Sequence, residues 1–282
     1  MLVQGGYANM SDNKVCVIGG YDPLAKAFYS ELKKNENLSI FINVDDTKYI
    51  NRRGIFNFKI FELKKILQTL KENKISKLVF LGKINRPNLS DFKNDGIVEN
   101  YLPLLVESFK KGDGNILSTV IKIFAQNGFS VLSPKKISKN FFLSKAEIGS
   151  SINKNDKIDI NKSIKILNAL SKYDNAQSII SVDGYIIAIE AAEGTDNLIK
   201  RTVNIRKNLN QLNKKSGFLT KIPKKNQSKL IDLPVIGPKT IKLILKANLR
   251  GIAINTKLTM IYKKTEFLKI TNENDLRIYD LS

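Results

Sequence analysis

The chain of 282 residues contains no histidine. That absence removes imidazole metal sites, histidine-based triads and His proton relays, so acid–base chemistry falls to carboxylates, lysine, tyrosine or bound water. Cysteine occurs once, at Cys16. It cannot form an internal disulfide, and it sits in an apolar run that reads as a buried strand, which fits a reducing cytoplasm. No apolar run is long enough to span a bilayer. Residues 1–13 are small and polar without an apolar stretch, so no signal peptide is expected. Glycine is missing where a dinucleotide fingerprint needs it: the first strand ends in Gly19-Gly20 without completing Gly-x-Gly-x-x-Gly. Acid is locally scarce. Between Lys200 and Arg250 stand fourteen basic residues and one acid, Asp232.

What is present in excess is positive charge. A net charge of +21 favours acidic partners: nucleic acid, anionic lipid or phosphorylated substrates. Part of it reflects a composition rich in Lys, Asn and Ile throughout. The apolar fraction of 42% is enough for real cores, and the length allows two modest domains.

In chain order, residues 14–19 read as a buried strand, followed by a glycine turn and a helix over 24–33. Strand, glycine turn and helix open a nucleotide-binding α/β unit. Further strands are expected at 38–44, 77–81 and 129–132, with helices at 61–70, 97–109 and 115–126. This alternation argues for a parallel sheet with ligands at its carboxyl edge, where Lys83 and Arg86 stand. The first domain is expected to cover 14–134, after a tail at 1–13. Residues 135–159 are basic and irregular around Phe141-Phe142-Leu143 and read as a linker. The second domain is expected over 160–282. It starts with a helix over 160–171. Short strands follow at 218–222, 252–255, 260–262 and 268–270, and a helix at 239–247 has Pro238 in its first position.

The second half is organised around residues 181–196. Asp183-Gly184 between the apolar runs 178–182 and 185–191 signals a tight hairpin. The second run ends in Glu190-Ala191-Ala192-Glu193-Gly194-Thr195-Asp196, and Thr195 or Asp196 is placed to cap a helix over 197–209. A strand thus delivers carboxylates to a helix N-terminus, whose free N–H groups and dipole hold anions. Acids for a metal beside donors for a phosphate suit phosphoryl chemistry; a surface hairpin with capping acids is the plainer reading. Asp232 is either a turn aspartate or a group that binds metal or orients water. Residues 82–87 are either a strand-ending turn or a clamp on phosphate. The basic loop 221–229 is either a solvated surface or one that faces anionic lipid.

Four segments occur in order: Gly82-Lys83-Ile84-Asn85-Arg86-Pro87, Gly112-Asp113, Asp183-Gly184-Tyr185 through Glu190-Ala191-Ala192-Glu193-Gly194-Thr195-Asp196, and Asp232-Leu233-Pro234-Val235-Ile236-Gly237-Pro238-Lys239-Thr240. Together the chain resembles the UDP-2,3-diacylglucosamine pyrophosphatases of the LpxI type over nearly its whole length. The resemblance departs at Pro23-Leu24, where the family often has Leu-Pro. It departs again at Ser228 and Leu230, where the family often has Asp and Arg.

The resemblance implies an α/β protein with a Rossmann-like N-terminal domain, a separate C-terminal α/β domain and a substrate held between them. It implies Mg²⁺-dependent hydrolysis of UDP-2,3-diacylglucosamine to 2,3-diacylglucosamine 1-phosphate (lipid X) and UMP, in lipid A synthesis. Asp232 matches the family's essential aspartate. Asp232, Glu190 and Glu193 are then the candidate metal ligands. Gly19, Gly20, Lys83, Arg86, Gly194, Thr195, Asp196, Lys221, Gly237 and Thr240 are the candidate substrate-binding residues. The expected partners are a nucleotide-linked glycolipid and the anionic inner leaflet, with no nucleic acid and with homo-oligomerisation left open. The expected location is the cytoplasm, peripheral on the inner membrane. The competing classes are a nucleotide-dependent oxidoreductase and a basic nucleic-acid-binding protein without catalysis.

Overall fold

The computed structural model describes residues 14–34, 39–84, 98–110, 113–148, 152–173, 175–224, 228, 230–231 and 233–282. The chain divides into two compact units, Met1–Ile137 with Leu230–Asp232, and Ser138–Lys229 with Leu233–Ser282.

The first unit opens with β1 (Val15–Gly19), buried along its whole length. A strand apolar throughout needs cover on both faces, which a parallel sheet flanked by helices supplies. In α1 (Pro23–Lys34) the residues Leu24, Ala25, Phe28, Tyr29 and Leu32 turn inward at helical spacing. Then follow β2 (Ile40–Asn43), β3 (Ile55–Asn57), α2 (Leu63–Glu72), β4 (Lys77–Phe80), α3 (Val98–Lys110), α4 (Asp113–Gln126), β5 (Ser130–Val131) and the short α5 (Pro134–Ile137). The sheet order is β3-β2-β1-β4-β5, with every neighbouring pair parallel. This is the order of a Rossmann-type doubly wound sheet. Its growth reverses between β1 and β4, and ligands of such sheets bind beyond the carboxyl ends of those strands. Cys16, Ile42, Leu70 and Leu78 are fully buried in its core. Burial pushes the Cys16 thiol well above its usual range, so it packs as a small hydrophobe rather than reacting.

The second unit contains α6 (Lys154–Leu170), β6 (Ser178–Val182), β7 (Tyr185–Ile189), α7 (Thr195–Asn208), β8 (Phe218–Lys221), β9 (Val235–Ile236), α8 (Pro238–Lys246), β10 (Gly251–Ile254), β11 (Met260–Ile261), α9 (Lys264–Glu273) and β12 (Arg277–Asp280). Its five-stranded sheet has the order β12-β10-β8-β6-β7. β12, β10 and β8 run parallel, whereas β6 and β7 are antiparallel additions. A small parallel pair joins β9 to β11. The mixed directions have one consequence for chemistry: the carboxyl ends of β8 and β7 and the amino end of β6 share an edge. The hairpin between β6 and β7 turns at Asp183 and Gly184, both with positive φ, as a two-residue primed turn requires. The buried Asp159 carboxylate fixes that turn by accepting the N–H groups of Asp183 and Gly184 at 3.1 and 2.7 Å.

Several expectations shift. Within 135–159, Phe141, Phe142 and Leu143 are buried, Leu143 joins the core of the second unit, and α6 begins six residues before the expected helix. Residues 268–270 lie within α9 and are not a strand, because Phe267 and Thr271 bury at i, i+4 spacing. The short strands β3, β9 and β12 are additional to those expected.

Candidate functional site

Three adjacent strands bring three polar side chains to the shared edge. Ser178 begins β6, Lys221 ends β8 directly opposite it, and Glu190 follows β7 with its N–H donated to the Ser178 carbonyl at 2.9 Å. All three are buried. The Lys221 ammonium donates to the Thr195 hydroxyl at 2.7 Å and to the Ser178 hydroxyl at 3.3 Å. Thr195 in turn donates to Glu190 Oε1 at 3.0 Å. Glu190 Oε2 lies 4.0 Å from the Lys221 ammonium, within ionic attraction but too far for a hydrogen bond, and among the described residues it has no hydrogen-bond partner. A buried ammonium is costly unless paired. Here it is held by two hydroxyls and a carboxylate directly beneath a helix end.

That helix is α7, and its cap differs from the sequence expectation. Neither Thr195 nor Asp196 is the N-cap. Gly194 holds that place at φ +77°, and it has no side chain with which to cap. Thr195 is instead the first helical residue, which frees its hydroxyl for Glu190 and Lys221. α8 begins in a comparable way, with Gly237 at its N-cap and Pro238 in its first turn. The first intrahelical bonds run from Leu198 to Gly194 and from Ile241 to Gly237. The N–H groups of Thr195, Asp196, Asn197, Lys239 and Thr240 therefore have no acceptor within their helices. The two ends are tied together: Thr240 donates its hydroxyl to Asp196 Oδ1 at 2.9 Å, and Lys239 pairs with Asp196 Oδ2 at 2.9 Å.

Glu190, Gly194, Thr195, Asp196, Lys221, Gly237 and Thr240 thus gather at this junction. Glu193 is next to it but turned away. Its Oε1 receives Arg201 at 2.8 Å and its Oε2 receives the Ala191 N–H at 3.0 Å. The Arg201 guanidinium holds the Glu193 carboxyl below the usual carboxylate range. Gly19, Gly20 and Lys83 belong to the first unit. Asp232 and Arg86 lie outside the described residues. Sequence reasoning missed Ser178, Lys239 and Arg201. An unbroken hairpin count from the Asp183-Gly184 turn places Ser178 opposite Ile189. The bulge between Ile180 and Ser181 shifts the register by one and sets Ser178 beside Glu190 rather than Ile189.

Among the described residues, the junction combines helix N-termini without a side-chain cap, a buried cation and one carboxylate oxygen without a donor. Helix ends of this kind hold phosphate oxygens, and a dry ammonium acts on them more strongly than one in water.

Against known families, residues 14–141 match the LpxI N-terminal domain and residues 145–279 match the LpxI C-terminal domain. A relative from Caulobacter vibrioides, the UDP-2,3-diacylglucosamine pyrophosphatase LpxI, is 29% identical over 195 residues, which are 68% of this chain and 70% of the relative.

Proposed function

The chain belongs to the LpxI family, and on that premise we propose that it hydrolyses the pyrophosphate bond of UDP-2,3-diacylglucosamine, releasing 2,3-diacylglucosamine 1-phosphate and UMP for lipid A synthesis. The observation that supports this beyond family membership is the meeting of α7 and α8 N-termini over the buried Lys221. A diphosphate carries the charge such a junction attracts, and the departing phosphoryl oxygens gain most from preorganised donors.

Mg²⁺ is the expected ion. Among the described residues no three Cys, Asp or Glu side chains form a metal-binding group. The buried Glu190 Oε2, which among the described residues accepts no hydrogen bond, is the observation that fits such an ion. Mg²⁺ dehydrates reluctantly and is commonly held by one or two carboxylates together with substrate phosphates rather than by an all-protein cage. Asp232 is the first candidate carboxylate. Glu190 is the second, since its Oε2 lacks a donor. Glu193 is the weakest, with both oxygens engaged. When bound, the ion would neutralise phosphate charge and lower the pKa of a bound water. The chain's own groups bind and orient: Lys221 and the helix ends hold phosphoryl oxygens, and Thr195 fixes Glu190. The glycolipid reaches the protein by peripheral contact with the membrane; among the described residues no helix is long and apolar enough to cross one.

The test is incubation of the purified chain with UDP-2,3-diacylglucosamine, with UMP release as the readout, in Mg²⁺ and after chelation. Release in Mg²⁺ that stops on chelation and returns on re-addition is expected. No release at any Mg²⁺ concentration rules the reading out.

A further inference from the structure

The first unit has the strand order of a dinucleotide-binding sheet, yet its glycine turn is built differently from a phosphate site. In such sheets the diphosphate rests on the N–H groups at the start of the first helix. Here Asp22 stands at that position. Its Oδ1 accepts the Ala25 N–H at 2.9 Å, its carbonyl accepts the Lys26 N–H at 2.8 Å, and Pro23 has no N–H to offer. Only the Leu24 N–H remains at the head of α1. The second carboxylate oxygen of Asp22 reaches across the crevice and accepts the Lys83 N–H at 2.8 Å. The backbones close in behind it. A Cβ on Gly20 would collide with the Lys83 carbonyl, and one on Gly82 with the Gly20 carbonyl. The space between the β1 and β4 turns is therefore filled by main chain, and the glycines serve that contact.

We propose that Asp22 is a positioning residue: its carboxylate replaces a ligand phosphate at the head of α1 and clasps the turn after β4, so that Lys83 is presented to substrate from a fixed backbone. Lys83 itself is exposed at the carboxyl edge of the sheet, and among the described residues its ammonium has no partner, so it is available to an anion. Two consequences distinguish this clasp from an ordinary helix cap. The unit takes no dinucleotide at its glycine turn, and Asp22 affects substrate affinity only through Lys83. The second consequence rests on the pyrophosphatase reading; the clasp does not.

The experiment compares Asp22→Ser, Lys83→Ala and the double variant in the full chain. Serine can still cap Ala25 but is too short to reach Lys83. Asp22→Ser is expected to melt within about 2 °C of the parent. It should raise KM for UDP-2,3-diacylglucosamine about tenfold at unchanged kcat, and add nothing to the KM of Lys83→Ala. Hydrogen exchange of the Lys83 amide should accelerate in Asp22→Ser, and NAD⁺ should leave the amide signals of residues 19–26 unmoved in the parent protein. Multiplying effects of the two substitutions on KM, an unchanged Lys83 amide, or NAD⁺ binding at the turn would each overturn the proposal. If the parent chain releases no UMP, the functional reading fails, and the exchange and NAD⁺ measurements still judge the clasp.

Discussion

Asp232 and Lys221 divide the expected chemistry between them. Asp232 is the one acid in a stretch of fourteen bases. Asp232→Ala is expected to lower kcat by about 10³-fold, the scale of losing a group that orients water, while the melting temperature stays within about 2 °C of the parent. A plain turn aspartate gives the opposite pattern, a loss of about 1 kcal/mol of stability with near-normal turnover. Melting and UMP release on one sample separate the two. Lys221 is different because it is buried and has Glu190 Oε2 at 4.0 Å. Removing the cation strands that carboxylate, so Lys221→Met should lose about 3 kcal/mol of stability and raise KM together. Adding Glu190→Gln removes the stranded charge. The double variant should recover most of the stability and none of the substrate affinity. Recovery of both would make Lys221 a structural residue.

At the scale of elements, legibility followed the strength of local signals. The hairpin was readable because Asp183-Gly184 demands positive φ at both positions. The first helix and α8 were readable from apolar spacing and from a first-turn proline. α9 was misread because Leu268-Lys269-Ile270 alternates like a strand, and only the wider spacing of Phe267 and Thr271 shows the helix. β12 went unseen because Ile278 is the one buried residue among its four. At the site, Thr195, Asp196, Gly237 and Thr240, which the resemblance groups as substrate-binding candidates, stand at the starts of α7 and α8, and the Thr240–Asp196 hydrogen bond joins them. The union of Ser178, Glu190 and Lys221 depends on an antiparallel register that a bulge displaces, and no local pattern encodes it. The end of α7 shows the same limit. Arg206 is fully buried, among the described residues no carboxylate pairs with it, and it donates to the carbonyls of Gln211, Lys214, Ser216, Ala247 and Asn248. Those carbonyls close the loop before β8 and the end of α8, so one guanidinium substitutes for several caps. Arg206→Met should leave them unpaired and cost about 3 kcal/mol. That corresponds to a melting temperature lower by about 10 °C. KM should be unchanged, because the residue sits at the opposite end of α7 from Thr195. A raised KM without a change in melting would contradict this structural role.

For the whole molecule, the net charge of +21 bears on the proposed contact with an anionic membrane surface. Its basic stretch is less available than its count implies: Arg206 is enclosed by carbonyls, Lys221 lies in the site, and Arg250 pairs with the buried Asp156 at 2.7 Å. Under that proposal the attraction to an anionic surface is a sum of solvated lysines, each worth about 1 kcal/mol near a membrane; among the described residues no helix is long and apolar enough to cross one. Such binding must follow ionic screening. Between about 0.05 M and about 0.5 M salt the Debye length falls from about 14 to about 4 Å, which is enough to uncouple a surface attraction and too little to disturb a buried pair. The chain should co-sediment with vesicles containing anionic lipid at the lower salt, leave them at the higher, and ignore zwitterionic vesicles throughout. UMP release from detergent-dispersed substrate should change far less over the same range, because Lys221 acts from a buried position. A nucleic-acid-binding protein would instead show tight, steeply salt-dependent affinity for polyanions and no turnover. Absence of vesicle binding even at the lower salt would sever the charge of the chain from its access to substrate.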